Sequence, residues 1–270
     1  MTGSQDLEED GRSASPDEVL VVGDIQGDSE RLIEGLRPYP DTDFATIFLG
    51  DFFQGGRPGF GGGAKAARIA ARRGHSQAVM GNHDLMALGV LDRMRTVPGA
   101  SVGAWEQAPR SALVDVWLSR RGDWADIWAL FGDDRLAAWV RNLPVILRLS
   151  DGTIVQHCDD DRYLELGDTV EEINSAATEL LAAGGIRGLM PYLVGRHAFD
   201  DEARLDRYLA RLSGTRLVHG HTHHSQPIPK SGFGGKVYCF DGMFSRYWVR
   251  SATEAPAGPI AATIGLLPRL

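Results

Sequence analysis

Val19-Leu20-Val21-Val22-Gly23-Asp24 is a short apolar run that leads directly into a glycine and an aspartate. Such a valine-rich run is typical of a buried strand, and the Gly-Asp pair is typical of the turn that follows it. The pattern returns at Phe44 to Leu49, which leads into Gly50-Asp51. Two buried strands with the same ending predict a parallel sheet that carries carboxylates at its carboxyl edge.

Helical patterns separate and follow these strands. Ser29 to Leu36 and the alanine-rich Ala64 to Arg73 predict helices. Gln77 to Met80 predicts a third strand, which stops at Gly81-Asn82. Strands that alternate with helices predict an α/β sheet with a functional site at the strand ends. Farther along, the sequence predicts a β-hairpin over 144–157, helices over 170–183 and 201–212, and strands over 217–218 and 236–240.

Composition divides the chain into a domain with two tails. Residues 1–16 are acidic and polar, which predicts a disordered tail, and 251–270 are expected to form a C-terminal tail. The domain between them, 17–250, is expected to contain a helical insertion over about 86–141. This insertion is rich in tryptophan, which predicts packing between helices, with stacking of one or two rings on a substrate as the alternative. The residues concerned are Trp105, Trp117, Trp124, Trp128 and Trp139.

The overall composition is that of a soluble, folded protein. The 270 residues are 43% hydrophobic and 24% charged, with a formal net charge of −8 and no basic stripe. This charge argues against long nucleic acid as a partner but not against a small phosphate ester, because bound cations would dominate the local field. The chain shows neither a secretory signal nor an apolar run of membrane-spanning length, so we expect a cytoplasmic protein without a membrane partner. Two cysteines exclude a disulfide framework and leave one bridge open.

Metal-ligating side chains follow five apolar runs. Carboxylate, amide and imidazole groups in this number suit a site for two divalent cations, and such sites commonly hydrolyse bonds at phosphorus. Asp24 or Asp51 alone could equally be a helix cap or a turn former, and His83 alone could be a buried structural histidine. Their occurrence together and in order favours the metal site. The five segments are 23–28, 50–51, 81–84, 154–157 and 220–223.

The order Asp, Asp, Asn-His, His, His-x-His over residues 19–242 resembles the calcineurin-like metallophosphoesterase superfamily. The resemblance implies an α/β fold in which two sheets form a β-sandwich flanked by helices. It also implies a hydrolase with a dinuclear metal site, for which we expect Mn²⁺, with Fe, Zn, Ni or Mg as alternatives. Asp51 is expected to bridge the two ions. The other expected metal ligands are Asp24, Gln26 and His223 for the first ion, and Asn82, His157 and His221 for the second.

The resemblance also implies catalytic and phosphate-binding roles. His83 is expected to assist attack by a metal-bound hydroxide, and Asp84 is expected to orient His83. Arg196 is expected to clamp the phosphate, since a guanidinium offers a planar fork of donors. Asn82 is expected to contact the same group. From the residues alone, we further expect Asp241 to hydrogen-bond a ligand histidine.

The closest likeness is to the bacterial PPP-type branch, which contains serine/threonine phosphatases and symmetrical diadenosine tetraphosphate hydrolases. Gly81-Asn82-His83-Asp84-Leu85 and the segments 139–144 and 193–196 carry this likeness. Gln26 stands where the family usually has histidine, which predicts a weaker first metal site that favours Mn²⁺ or Mg²⁺ over iron. Gln54-Gly55-Gly56 replaces the usual Asp-Arg-Gly, so a phosphate-binding arginine is missing, and Arg57 is the candidate substitute.

The leading functional hypothesis is a metal-dependent phosphomonoesterase that acts on a small phosphorylated substrate or a phosphoprotein. Hydrolysis of a dinucleoside polyphosphate is the alternative within the same class. A non-catalytic sensor of a phosphorylated ligand, with a degenerate first metal site at Gln26, is the alternative from another class. A nuclease acting on polymers is disfavoured by the acidic composition. The sequence does not indicate an oligomeric state.

Overall fold

The computed structural model describes residues 18–97, 111–247 and 257–268, so the predicted tail 1–16 and Trp105 lie outside the described residues. The strands are β1 (Glu18–Val22), β2 (Phe44–Phe48), β3 (Ser76–Ala78), β4 (Ile146–Arg148), β5 (Thr153–Gln156), β6 (Arg216–His219), β7 (Lys230–Gly232), β8 (Val237–Cys239) and β9 (Ile264–Leu266). The α-helices are α1 (Ser29–Leu36), α2 (Gly62–Arg72), α3 (Asn82–Arg95), α4 (Ala112–Ser119), α5 (Trp124–Phe131), α6 (Asp134–Arg141), α7 (Val170–Gly184), α8 (Ile186–Leu189) and α9 (Glu202–Arg211).

The strands form two mixed sheets. The first has the order β3-β2-β1-β9, with β1, β2 and β3 parallel and β9 antiparallel to β1. The second has the order β4-β5-β6-β8-β7, with β5, β6 and β8 parallel and an antiparallel strand at each edge. Helices flank both sheets. This arrangement confirms the predicted two-sheet α/β fold, including the hairpin of β4 and β5.

Alternation along the strands explains why the two sheets pack together. Successive side chains of a strand point to opposite faces. Val21 and Ile47 of the first sheet therefore share one buried apolar cluster with Val155 and Val218 of the second sheet. Their neighbours Leu20, Val22 and Phe48 belong instead to the cluster formed with the helices. The parallel strands are covered on both faces, which leaves their carboxyl ends as the place where polar groups collect.

The helical insertion is present among the described residues as α3 to α6. Its first helix begins at Asn82, before the predicted start near 86, because the backbone N–H of Gly81 donates to the Asp84 carboxylate and caps the helix. Trp117 is fully buried, and the other described tryptophans of the insertion pack against the same core. The expectation of helix packing is confirmed for these residues, which are Trp117, Trp124, Trp128 and Trp139.

Two short strands were not indicated by the sequence. β7 forms an antiparallel edge beside β8, and β9 pairs with β1 with Val21 opposite Gly265. Each strand has three residues and lies in a stretch rich in glycine, proline or alanine. Three residues are too few to show the alternation of apolar and polar side chains that predicts a strand. The pairing of β9 attaches part of the expected C-terminal tail to the first sheet. Among the described residues, none of the helices is long and apolar enough to cross a membrane.

Asp126 in α5 joins the insertion to α2. It is 2% exposed, and its carboxylate accepts a hydrogen bond of 2.9 Å from the backbone N–H of Ala64. Burial raises the pKa of Asp126 to about 7 from an ordinary value of 3.8, against the opposing effect of that hydrogen bond. The unfolded chain therefore releases this proton before the folded protein does. We expect the free energy of unfolding to fall as the pH rises from about 4 to about 7.

Asp126→Asn tests this pH dependence. The amide cannot titrate and keeps an oxygen acceptor for the Ala64 N–H. The gain in unfolding free energy over the parent should grow through that pH range by up to about 1.4 kcal/mol per pH unit. Urea unfolding at about pH 5 and about pH 8 measures it. Asp115→Asn, which alters an exposed carboxylate of α4, is the matched control. A gain of the same size at both pH values would contradict the expectation.

Candidate metal centre

The carboxyl ends of four parallel strands place the candidate ligands side by side. Val22 of β1 lies opposite Phe48 of β2, so Asp24 and Asp51 follow their strands at neighbouring positions. In the second sheet, β5 and β6 are also parallel neighbours. His157 directly follows β5, and His221 follows β6. The sandwich therefore brings two carboxylates from one sheet towards two imidazoles from the other.

These four side chains form one buried cluster. One ligand atom each from Asp24, Asp51, His157 and His221 lies within 4.8 Å of the others. Asn82, the first residue of α3, adds its Oδ1 at 3.0 Å from Nε2 of His157. The structure thus brings together five of the residues singled out from the sequence. Their role as metal ligands stays a prediction, whereas their convergence is observed.

The hydrogen bonding of His157 indicates that the cluster fits a metal ion. Its Nδ1 lies 2.7 Å from the carbonyl oxygen of Leu49, which can only accept, so Nδ1 carries the proton. In the neutral ring, Nε2 then presents a lone pair. That lone pair faces two oxygen acceptors, Asn82 Oδ1 at 3.0 Å and Asp51 Oδ1 at 3.4 Å, and lies 3.2 Å from Nδ1 of His221. Lone pairs that converge in this way are satisfied by a cation.

Buried acid groups point to the same conclusion. Asp24, Asp51 and Asp241 are each at most 1% exposed. Burial, together with their neighbouring negative charges, raises the pKa of Asp24 and of Asp51 well above the ordinary value. Within the described residues, Oδ2 of Asp24 has no hydrogen-bond donor. A divalent cation would neutralise this group of carboxylates, and the donor set suits a hard or borderline metal.

Two glycines allow the carboxylates to reach the centre. A Cβ atom on Gly81 would lie 2.2 Å from Oδ1 of Asp51, and a Cβ atom on Gly220 would lie 2.3 Å from Oδ1 of Asp24. Both distances are far below van der Waals contact, so only glycine leaves the space that each carboxylate occupies. The glycine that precedes Asn82-His83 and the glycine that precedes His221 are therefore part of the site.

Strained backbone also marks the cluster. Asp51 has φ +51° and His221 has φ +60°, in the left-handed region that residues other than glycine rarely adopt. The backbone carbonyl of Asp51 accepts hydrogen bonds from Ile25 (3.2 Å) and Gln26 (2.8 Å), which ties the first loop to the second. Strain of this kind persists where the surrounding structure holds it, and it concentrates at functional sites.

Asp84 has a structural role that the sequence did not indicate. Its buried carboxylate accepts hydrogen bonds from the backbone N–H groups of Asp51 (2.9 Å), Phe52 (2.8 Å) and Gly81 (2.9 Å). It therefore fastens the loop after β2 to the start of α3 and holds Asp51 in its strained conformation. The predicted role of Asp84 in orienting the His83 imidazole stays a prediction.

His83 lies beside Asp51. Its backbone N–H donates to Oδ1 of Asp51 at 2.9 Å, and its ring Nδ1 lies 3.9 Å from Oδ2. Burial lowers the pKa of His83 to about 3, and the charges of His157 and Arg120 contribute to this shift. Arg120 directly follows α4 in the insertion, and no sequence motif indicated that it would lie near His83.

His223 and Gln26 are the other two predicted ligands of the first metal ion, besides Asp24. Nε2 of His223 lies 3.2 Å from Oδ2 of Asp241, but this oxygen has no hydrogen-bond partner among the described residues, so the expected hydrogen bond from a ligand histidine to Asp241 stays a prediction. Gln26 is 3% exposed, with φ +49°, and its amide lies in the loop that carries Asp24. His223 is not a member of the four-residue cluster, and the part of His223 and Gln26 in a first metal site stays a prediction.

The two candidate phosphate-binding arginines differ in position. Arg196 is exposed. Burial lowers the pKa of His223, and the positive charge of Arg196 lowers it further, so the Arg196 guanidinium lies near the metal centre. The guanidinium of Arg57 instead lies 3.9 Å from the ring centroid of Phe60. Arg57 lines a small cavity of about 30 Å³ together with Phe60 and Tyr247. Its substitution for the missing Asp-Arg-Gly arginine stays a prediction that these contacts do not support.

A family model for calcineurin-like phosphoesterases matches residues 18–225. The chain belongs to this family. As a member with the buried Asp/His cluster in place, it is a metal-dependent phosphoric ester hydrolase with a site for divalent metal. A comparison with curated proteins found no match.

Solved phosphatase structures share the fold of this calcineurin-like phosphoesterase. One is a cold-active protein-tyrosine phosphatase of a psychrophilic Shewanella species, 17% identical, with a TM-score of 0.56 over 93% of this chain and 80% of that chain. Another is a protein serine/threonine phosphatase of Saccharomyces cerevisiae, 13% identical, with a TM-score of 0.50 over 84% of this chain and 68% of that chain. At these identities the likeness concerns the fold, and the substrate has to be argued from the site.

Proposed function

We propose that this chain is a dinuclear phosphomonoesterase that releases inorganic phosphate from a small phosphorylated substrate. The observation that carries the proposal is the convergence of carboxylate, amide and imidazole lone pairs around Nε2 of His157. Such a cluster requires cations, and a phosphoryl group is the natural anionic partner of two cations beside a guanidinium. Arg196 supplies that guanidinium, because it is exposed and lies close enough to interact electrostatically with the buried carboxyl of Asp241.

Seven side chains are the proposed ligands. When bound, the two divalent cations would neutralise charge on the phosphoryl oxygens and lower the pKa of water at the site. We propose Mn²⁺ as the metal, because an amide and several carboxylates favour Mn²⁺ or Mg²⁺ over softer ions. Asp51 is the proposed bridging ligand. The others are Asp24, Gln26 and His223 for the first ion, and Asn82, His157 and His221 for the second.

The remaining polar groups position the ester. Arg196 would hold the phosphoryl oxygens through charge-assisted hydrogen bonds, and Asn82 would share its amide between metal and substrate. His83, held beside Asp51, would assist the reaction through contact of its ring with the ester or phosphoryl oxygen. Asp84 would act indirectly, because its three backbone hydrogen bonds hold Asp51 in position.

His83→Ala separates this role from metal binding. We expect kcat to fall about a hundredfold or more, while the number of Mn²⁺ ions bound per chain stays the same. Steady-state kinetics and elemental analysis measure the two quantities on the same preparation. His83→Gln keeps an N–H donor and should recover part of the lost activity. An equal loss of metal and activity in both variants would mean that His83 supports the metal centre rather than the reaction.

The decisive experiment compares three substrates with metal-stripped protein, with and without Mn²⁺. Turnover of p-nitrophenyl phosphate that requires Mn²⁺, with little turnover of bis(p-nitrophenyl) phosphate, would support a phosphomonoesterase. A preference for diadenosine tetraphosphate would instead indicate that the enzyme hydrolyses dinucleoside polyphosphates, and the phosphomonoesterase proposal would be wrong. Binding of two ions without turnover of any of the three would favour a sensor of phosphorylated ligands and would overturn the proposal.

A further inference from the structure

A groove of about 400 Å³ opens beside the metal centre, between α3, α4 and the segment 186–194. Asn82, a proposed metal ligand, is one of its lining residues, so the groove is continuous with the centre. Its size is that of a small-molecule site, which in proteins is concave and mostly apolar. Most of the wall is apolar here too, formed by Met86, Leu113, Val116, Ile186, Met190 and Val194.

The walls of the groove are firmly packed, whereas its mouth is uncovered. A Cβ atom on Gly89 of α3 would lie 2.7 Å from Ile186 and 3.0 Å from Leu113, so the three segments meet closely at this glycine. In contrast, Val116 and Val194 are each 43% exposed. Removing such apolar surface from water is worth about 25 cal/mol per Å², which favours an apolar occupant.

Two arginines add a second chemistry to the groove. Arg120 and Arg187 line it, both are exposed, and neither guanidinium has a carboxylate or hydrogen-bond partner among the described residues. Some exposed arginines of this acidic chain are paired, such as Arg204 with Asp161 and Arg95 with Asp134, whereas others, such as Arg72 and Arg135, have no carboxylate partner among the described residues. Unpaired positive charge along an apolar groove favours an occupant that is itself negatively charged.

The two arginines belong to different walls of the groove. Arg120 directly follows α4 and lines the groove together with Asn82, the proposed metal ligand. Arg187 belongs to the segment 186–194, which forms a separate wall of the groove.

We infer that this groove binds the leaving group of the substrate, and that this group is a small apolar body carrying a second anionic group that pairs with Arg187. The scissile phosphoryl group lies at the Asn82 and Arg120 end, the apolar body lies along Met86 and Val116, and the second anion lies at Arg187. The inference rests on the proposed function, which it deepens by naming the substrate class: phosphate esters of apolar alcohols or phenols that bear a carboxylate or a further phosphate.

Binding of stable analogues tests the inference without turnover. The probes are benzylphosphonate and (4-carboxybenzyl)phosphonate, titrated calorimetrically into the Mn²⁺-loaded protein. The carboxylated probe should bind about tenfold more tightly, as expected for one charge-assisted pair. Arg187→Gln should remove this preference, and Arg187→Lys should keep part of it. Arg135→Gln, which alters an exposed arginine of α6 away from the groove, should keep the full preference.

Kinetics with phenyl phosphate and 4-carboxyphenyl phosphate provide the second readout. The preference for the carboxylated ester in kcat/KM should fall in Arg187→Gln, mainly through KM, whereas Arg120→Gln should lower kcat/KM for both esters. An active enzyme that binds both phosphonates equally, or an Arg187→Gln variant that keeps the preference, would overturn the inference and leave the proposed function standing. Failure of the proposed function would give a different result, because neither ester would then be hydrolysed, even in the presence of Mn²⁺.

Discussion

Asp51→Asn should abolish Mn²⁺-dependent phosphate release in a protein that remains folded. Asp51 contributes a ligand atom to the buried cluster, and Oδ1 lies 3.4 Å from Nε2 of His157. An amide has the same shape but only one good oxygen donor and no charge, so it cannot serve two cations. We expect kcat/KM to fall by more than about a hundredfold, since even partners behind a metal ligand contribute about 10–100-fold.

The stability of this variant should move in the opposite direction to its activity. Asp51 is buried close to the like charges of Asp84 and Asp241, and its replacement removes one of three repelling groups. Without metal, Asp51→Asn should therefore melt no lower than the parent, while Mn²⁺ should raise its melting temperature less than it raises that of the parent. Asp134→Asn, at a carboxylate that is 91% exposed, is the control. Full activity in a variant with one fewer bound ion would contradict a bridging role.

The fold was predictable because its elements carry local patterns. The valine-rich β1, the alanine-rich α2 and the hairpin of β4 and β5 each have a period or a turn signal that can be read without a partner. The candidate ligands were predictable for the same reason: Asp24, Asp51 and His157 directly follow apolar runs. Parallel strands in a sheet have their carboxyl ends at one edge, so these side chains meet whatever the details of the helices.

What the sequence did not indicate depends on contacts between distant segments. Arg120 and Arg187 are ordinary surface arginines in the sequence, and only the docking of α4 against α3 and the 186–194 segment places them along one groove. Arg57 illustrates the reverse. Its proximity in sequence to the missing motif favoured a role in phosphate binding, but its guanidinium lies over the ring of Phe60 in a cation–π contact. Side-chain direction on a loop is set by such neighbours and has no periodic signature.

Gly220→Ala should disable the metal centre without changing any polar group. The new Cβ atom would lie 2.3 Å from Oδ1 of Asp24, an oxygen that already accepts the backbone N–H of His221 at 3.0 Å. The carboxylate is 1% exposed, and the charges of Asp241 and Asp51 lie close to it. Either the carboxylate or the strained backbone around His221 must move. We expect overpacking to cost about 1–3 kcal/mol of unfolding free energy.

Metal affinity should respond more strongly than stability to Gly220→Ala, because a ligand displaced by a fraction of an ångström is lost to the ion although the fold survives. We expect the affinity for Mn²⁺ to fall at least about tenfold, as it does when the support of a ligand is removed. Calorimetric titration with Mn²⁺ and chemical unfolding in a chelator measure the two effects separately. Gly132→Ala is the matched control, since its Cβ would lie 3.5 Å from the Trp128 carbonyl, an ordinary contact. Parental Mn²⁺ affinity in folded Gly220→Ala would show that Asp24 Oδ1 is not a ligand, and Asp24 would then serve the site only by fastening His221.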